Sequence, residues 1–262
     1  MTVTIHTKED FIKMRQAGRL AASVLDYITP FVLPGTTTNE LNNLCHEMII
    51  ANNAIPAPLN YKGYPKSICT SVNNVVCHGI PNDRKLKEGD IINIDVTVIL
   101  DGWYGDTSRM YWVGDVPLKA QKLTRITYEA MMLGIAEIKP GATLGNIGHA
   151  IQNYAERHNY SVVRDFCGHG IGKIFHDAPN VLHYGKRNTG LMLEPGMFFT
   201  VEPMINAGHF EIKISQIDGW TATTRDLSLS AQFEHTVGVT EDGVEIFTLS
   251  PKNYTMPFYS VT

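Results

Sequence analysis

The sequence predicts an α+β protein built from a duplicated half, each half running as two helices, an irregular loop and a strand that carries an acid. Three observations lead there. Ile91 to Gly114 reads as two runs rich in β-branched and aromatic residues joined at Asp101-Gly102. Asp-Gly between such runs is the strongest short-range hairpin signal, because a type I′ turn needs φ > 0 at both central residues. Pro34-Gly35-Thr36-Thr37 is echoed by Pro140-Gly141-Ala142-Thr143, each after one helical pattern and before another. At nearly the same offset, Glu88-Gly89 upstream of Asp95 is echoed by Glu194-Pro195-Gly196 upstream of Glu202. The repeat makes 1–262 a single domain of two pseudo-symmetric halves, about 8–115 and 118–250, with Glu202 opposite Asp95 across a pseudo-two-fold axis.

Taken in order, Lys8 to roughly Phe31 has apolar residues at helical spacing (Phe11, Ile12, Met14, then Leu20, Val24, Leu25, Ile28), stopped by Pro34-Gly35. Thr37 and Glu40 form a capping box that opens a second helix to about Ile50. The prolines and turn residues of Ala51 to Tyr64 predict an irregular surface loop. Ser67 to Val76 reads as one strand ending at Cys77-His78-Gly79. In the hairpin, a two-residue turn pairs Leu100 with Trp103, Thr97 with Asp106 and Asp95 with Ser108. Asp95, Thr97, Asp106 and Ser108 then share one face, while Ile92, Ile94, Val96 and Val98 fill the other. A third helix covers about Leu118 to Ile138 and a fourth runs to about Asn159. Later, Gln232, Glu234 and Thr236 alternate with Phe233, His235 and Val237 as a half-buried strand that Asp242-Gly243 turns back. Ser250 to Thr262 has no assignable role.

The totals exclude several classes. With 262 residues, 44% hydrophobic and 18% charged, the chain has ordinary globular composition. A net charge of −4 gives no whole-chain footprint for nucleic acid, so a ribosome contact would need a local patch. Cys45, Cys69, Cys77 and Cys167 contain no CxxC pair, which argues against a disulfide framework or a structural zinc site. The polar N-terminus lacks a signal-like apolar core and no run reaches a membrane span. A reduced, cytoplasmic setting fits these features.

The chemistry gathers on acids. In the hairpin register, Asp95 and Asp106 are diagonal neighbours with Cα atoms roughly 7–8 Å apart, so their carboxylates can converge. Such a pair repels unless a cation or shared proton lies between. With Glu202, Glu234 and His169 of Cys167-Gly168-His169-Gly170, the candidates form an oxygen-rich ligand set suited to two divalent ions. Taken singly, each acid is as readily a solvent-facing or salt-bridged strand residue, and His169 as readily a structural histidine. Gly168-x-Gly170-x-Gly172 lacks dinucleotide spacing, and His46-Glu47 lacks the second histidine of a zincin helix.

At these five residues the sequence resembles the bacterial type I methionine aminopeptidases of the pita-bread metallopeptidase family. The matching segments are Gly63-Tyr64-Pro65-Lys66-Ser67, Val76-Cys77-His78-Gly79-Ile80-Pro81, Ile94-Asp95-Val96, Gly102 to Arg109, Cys167 to Gly172, Phe175-His176, Thr200-Val201-Glu202-Pro203 and Gln232 to Thr236. They run in family order over about Lys8 to Phe247. The resemblance implies an antiparallel sheet covered by two pairs of helices, and a cytoplasmic, monomeric enzyme that removes the initiator methionine from nascent chains when the second residue is small. It implies that Asp106 and Glu234 bridge two divalent ions (Mn, Fe, Co or Zn), that Asp95 chelates one, and that His169 and Glu202 complete the other. Glu202 would move the proton from the attacking water, His176 would hydrogen-bond the oxyanion and His78 would contact the scissile amide.

The same resemblance assigns the methionine pocket to Tyr61, Tyr64, Cys69, Phe175 and Trp220. Pro58 stands where bacterial members commonly have Cys, and Lys62 where they commonly have His. Asn73, Val75 and Ser230 match a site for one monovalent cation, Na or K. Partners would be the N-terminal Met of nascent peptides and, transiently, the ribosome, with no membrane and no specific nucleic acid. His169 and Glu202 lie too close in sequence for the helical insertion of type II members, and no zinc-finger extension precedes Lys8. Three rivals remain: a proline-specific aminopeptidase or prolidase of the same fold, a non-catalytic pita-bread scaffold that binds partners, and a nucleotide-binding protein using the Gly168 to Gly172 loop.

Overall fold

A computed structural model describes residues 2–257. Helices α1 (Lys8–Ile28) and α2 (Thr38–Ala51) lead through short strands β1 (Ile55–Pro56), β2 (Cys69–Val72) and β3 (Val75–Cys77) to the long hairpin β4 (Ile91–Leu100) and β5 (Trp103–Trp112). Helices α3 (Leu118–Ala136) and α4 (Leu144–Arg157) follow. Then come β6 (Ser161–Val162), β7 (Gly168–Gly170), β8 (Asp177–Val181), β9 (Phe198–Val201), β10 (Met204–Asn206), β11 (Ile212–Ile214), β12 (Ala222–Thr224), β13 (Ser230–Gln232), β14 (Glu234–Val239) and β15 (Val244–Ile246). The main sheet runs β1-β4-β5-β14-β9-β7-β8, with β2 on β4 and β15 on β14. This is the pita-bread α+β fold, an antiparallel sheet under two pairs of helices.

The hairpin has the predicted register throughout, Leu100 opposite Trp103, Thr97 opposite Asp106 and Asp95 opposite Ser108. Asp101 and Gly102 take φ of 49° and 81°, as a type I′ turn requires. Ile92, Ile94, Val96 and Val98 are fully buried in the core formed with α1 and α2. Helix α1 lies so close to β5 that a Cβ on Gly105 would stand 2.4 Å from the Ala17 carbonyl. The other core packs α3 and α4 against Phe199, Val201, Phe233 and Val237.

The Pro-Gly turns have matching hydrogen bonds. The Gly35 amide donates to Leu86 O at 2.8 Å and the Gly141 amide to Leu193 O at 2.9 Å. Thr37 closes the predicted capping box with Glu40 on α2, whereas the Thr143 hydroxyl turns to Asn146 Oδ1 at 3.1 Å and leaves α4 without one.

Four expectations need correction. The first α-helix stops at Ile28, and Pro30 tightens the continuation into a single 3₁₀ turn over Thr29–Phe31. The segment 51–64 is irregular and half exposed as expected, but it is not wholly a surface loop: Pro56 pairs with Val98 at the sheet edge, and Ala54, Ala57 and Tyr64 are buried. The run 67–76 is two strands, because Asn73 at φ 56° bends the chain between β2 on β4 and β3 on β12. The run around Glu234 breaks at Phe233, with β13 joining β10 while β14 joins β5 and β9. Residues of both its faces are buried, so that strand is interior rather than half-buried.

The C-terminal segment also has a role up to Tyr254. Asp26 on α1, only 2% exposed, accepts from Arg109 Nη1 at 2.7 Å, from the Ser250 hydroxyl at 2.7 Å and from the Lys252 amide at 3.0 Å. One buried carboxylate thus ties helix, hairpin and tail together; residues 258–262 lie outside the described residues. Removing one partner of a buried ion pair destabilises by about 3–5 kcal/mol. Asp26→Ala is expected to lose stability in that range by urea denaturation, and a loss under about 1 kcal/mol, the level of an exposed pair, would refute the anchoring role.

Candidate metal centre and substrate cavity

All five acid and imidazole candidates line one cavity of about 340 Å³. Asp95 and Asp106 face it from β4 and β5, Glu234 from β14, where it pairs with Ser108, and His169 from β7. Glu202 enters just past the end of β9. Asp106, His169 and Glu234 each offer one donor atom within 4.8 Å of the others, and all three are buried. His169 Nε2 lies 3.6 Å from Asp106 Oδ2 and 3.7 Å from Glu202 Oε1.

The groups are oriented as ligands need to be. His169 Nδ1 is 3.0 Å from the Gly170 carbonyl, which fixes the proton there and turns the Nε2 lone pair toward the carboxylates. Thr97 donates its hydroxyl to Asp106 Oδ1 at 2.7 Å. The Thr200 hydroxyl donates to Glu202 Oε1 at 2.7 Å and accepts the His169 amide at 3.0 Å, so one buried oxygen orients both neighbours. Burial pushes Asp95, Asp106, Glu202 and Glu234 above the usual carboxylate range, and their mutual charges raise Asp95, Glu202 and Glu234 further. Burial lowers His169 to about 4, leaving it neutral. Hard oxygen donors plus one neutral imidazole, crowded in a poorly hydrated wall, fit divalent cations.

The remaining candidates surround this centre. Tyr61, Tyr64, Cys69, His78, Phe175, His176 and Trp220 all line the same cavity. The Tyr64 hydroxyl is directed at the carbonyls of Ile68 (3.2 Å) and Gly79 (3.0 Å), so its ring is the part left to form the wall, edge-on to Trp220 at 5.2 Å. His176 is exposed and stacks on Tyr61, with its ring centroid 4.2 Å from that of His169. His78 holds φ at 56°, a strained value for a non-glycine residue of the kind that gathers at functional sites. The next residue has no room for a side chain: a Cβ on Gly79 would meet the Thr70 carbonyl at 2.1 Å.

Asn73, Val75 and Ser230 lie together apart from the cavity. The Ser230 amide donates to Asn73 O at 2.9 Å, Val75 pairs with Thr223, and the buried Ser230 hydroxyl has no hydrogen-bond partner among the described residues.

Sequence reasoning missed several contributors. Thr97 was placed on the acidic face but given no task, and Thr200 could have been found because strand alternation puts it on the side of Glu202. Phe166 and Asp165 also line the cavity, and nothing in their spacing marks them, whereas Gln232, which alternation sets on the side of Glu234, lines it too. Pro58, which is buried, and Lys62, which is exposed, are also part of the lining.

The comparisons agree with this geometry. Residues 12–241 match the profile of metallopeptidase family M24. The chain is 69% identical over 259 residues to a methionine aminopeptidase of Rickettsia prowazekii, covering 99% of this chain and 100% of the relative. The crystal structure of the Rickettsia prowazekii methionine aminopeptidase superposes with a TM-score of 0.94, covering 95% of this chain and all of that one. A methionine aminopeptidase of Salmonella typhimurium is 55% identical over 259 residues, 98% of this chain and 97% of its own. The Thermotoga maritima methionine aminopeptidase structure, 38% identical, gives a TM-score of 0.92 over 94% of this chain and 99% of that one.

The raised carboxyls hold protons when no cation is present, and ligation needs the carboxylate form, so metal binding expels those protons; neutral His169 has none to give. Titrating Mn²⁺ into metal-stripped protein at pH 7 should therefore release protons, read by calorimetry in buffers of different ionisation enthalpy. The release should shrink as pH rises through the raised values. No release at pH 7 would mean that the carboxylates were already ionised.

Proposed function

The chain belongs to metallopeptidase family M24, whose members bind divalent metal, and from that premise we propose that it removes the initiator methionine from nascent proteins whose second residue is small. The observation that carries this reading is the junction of a five-residue hard ligand set with an aromatic, thiol-lined cavity. Tyr61, Tyr64, Cys69, Phe175 and Trp220 offer polarizable apolar surface of the kind a thioether prefers. The two halves, about 8–115 and 118–250, would form one catalytic domain, a division supported by their matching Pro-Gly turns.

In this reading Asp106 and Glu234 would be shared by two divalent ions, Asp95 would serve one, and His169 with Glu202 would serve the other. The chemistry such ions would supply is Lewis acidity toward water and the scissile carbonyl, and Mn, Fe, Co and Zn all suit the donor set. Glu202 accepts the proton of the attacking water and returns it to the leaving amine, a task for which its raised proton affinity suits it. His176 at the rim donates to the developing oxyanion, and His78, held against Phe166 at 5.2 Å, meets the scissile amide. A monovalent cation, Na or K, at Asn73, Val75 and Ser230 would satisfy the Ser230 hydroxyl.

Since one chain supplies every candidate ligand, a monomer suffices. The four cysteines are free, which supports a cytoplasmic setting, where emerging chains would be met in transient contact with the ribosome. Among the described residues no helix is long and apolar enough to cross a membrane.

Metal-stripped protein given Mn²⁺ or Co²⁺ should release Met from Met-Ala-Ser and leave Met-Leu-Ser and Ala-Pro-Ser intact. Cleavage of Ala-Pro-Ser instead would move the chain to the proline-specific branch. Glu202→Gln should lower kcat about 10²- to 10⁴-fold, the range for a lost general base; a rate near that of the parent would remove Glu202 from proton transfer.

A further inference from the structure

His183 stands outside the cavity lining, directly behind Glu202. It is fully buried, and its Nε2 accepts the Glu202 backbone N–H at 3.0 Å. An N–H donated to Nε2 requires a lone pair there, so the ring proton lies on Nδ1. Nδ1 has no hydrogen-bond partner among the described residues. A leucine would fill this space without stranding a polar atom, so the acceptor on the other side of the ring is what the site requires.

The requirement comes from the chain path. The β9–β14 ladder ends at Val201 opposite His235, and Pro203 follows, unable to donate to any strand. Glu202 lies beyond the residues of β9 that pair with β14 or β7, and the imidazole accepts its amide where a neighbouring strand's carbonyl would otherwise stand. The Glu202 carboxylate is held by Thr200 at 2.7 Å and more loosely by Gln232 at 3.4 Å. Thr200 acts on the side chain alone, and Gln232 also reaches the Glu202 carbonyl at 3.4 Å; the shorter bond from His183 holds the backbone amide from which the side chain extends.

We propose that His183 is a positioning residue: through the Glu202 amide it sets where that carboxylate stands relative to His169. The inference rests on the role given to Glu202 above. It is tested by comparing His183→Leu, which removes the acceptor, with His183→Gln, whose amide oxygen can accept the same N–H. His183→Leu should lower kcat on Met-Ala-Ser and Mn²⁺ affinity by calorimetry each about 10- to 100-fold, the usual loss for a residue supporting a ligand. KM should stay within about twofold, since the apolar pocket is untouched. His183→Gln should recover most of both losses, with circular dichroism showing both variants folded.

Equal losses in the two variants would overturn the proposal. So would a His183→Leu protein that melts earlier but keeps its kcat and Mn²⁺ affinity. If the parent protein cleaves no Met peptide, the functional reading fails on its own, and the Mn²⁺ affinities of the two variants still decide the role of His183.

Discussion

Four carboxyl groups share one buried wall, and like charges so close cannot all ionise without a cation among them. The chain brings Asp95, Asp106, Glu202 and Glu234 together from separate strands. Isolated, each would be a costly buried charge. The rest of the architecture holds them there. The long hairpin register sets Asp95 against Asp106, the Ser108–Glu234 pairing joins the second half, and two helix pairs seal the outer faces so that the acidic face opens only into the cavity. A sheet that slipped by one residue would turn Asp106 into the α1 core and Thr107 into the cavity, so fold and site stand or fall together.

Hydrogen bonding then decides which atoms point inward. Thr97 and Thr200 each donate to one carboxylate oxygen, leaving the other lone pairs available, and the Gly170 carbonyl selects the His169 tautomer. These contacts involve short side chains or backbone on regular strands, so little conformational freedom is left to lose when a cation arrives. The site is organised by rigid neighbours more than by mutual attraction, which four acids lack.

Much of this could be read from the sequence where the rule was local. The Asp101-Gly102 turn demands one register, and period-two alternation then places Asp95 and Asp106 together. The repeat of the Pro-Gly turns pointed to Glu202. Where a distant contact decided the conformation, the reading failed: Asn73 turns because its side chain bridges Asp90 and the Ile91 amide, and Pro56 becomes an edge strand because β4 leaves a free side. His183 left no trace, since it stands in the bend just past β8 and has its role only through an amide across the fold. Asp26 likewise carries no local signal, because Arg109 and Ser250 reach it only in the folded chain.

The cavity divides its labour between two kinds of backbone. The candidate ligands sit on or beside regular strands, whereas the walls come from irregular segments: Tyr61 and Lys62 in a 3₁₀ turn, Phe166, Phe175 and His176 in loops, Trp220 beyond β11. Asn60, Lys62 and His78 hold positive φ there, conformations a strand would forbid. Ladder pairing ties Asp95, Asp106, His169 and Glu234 to their neighbours, while Glu202 stands just past the end of β9. Loops tolerate change more readily than the strands that carry the ligands, except at His78 and His176, where the irregular wall takes part in the proposed chemistry.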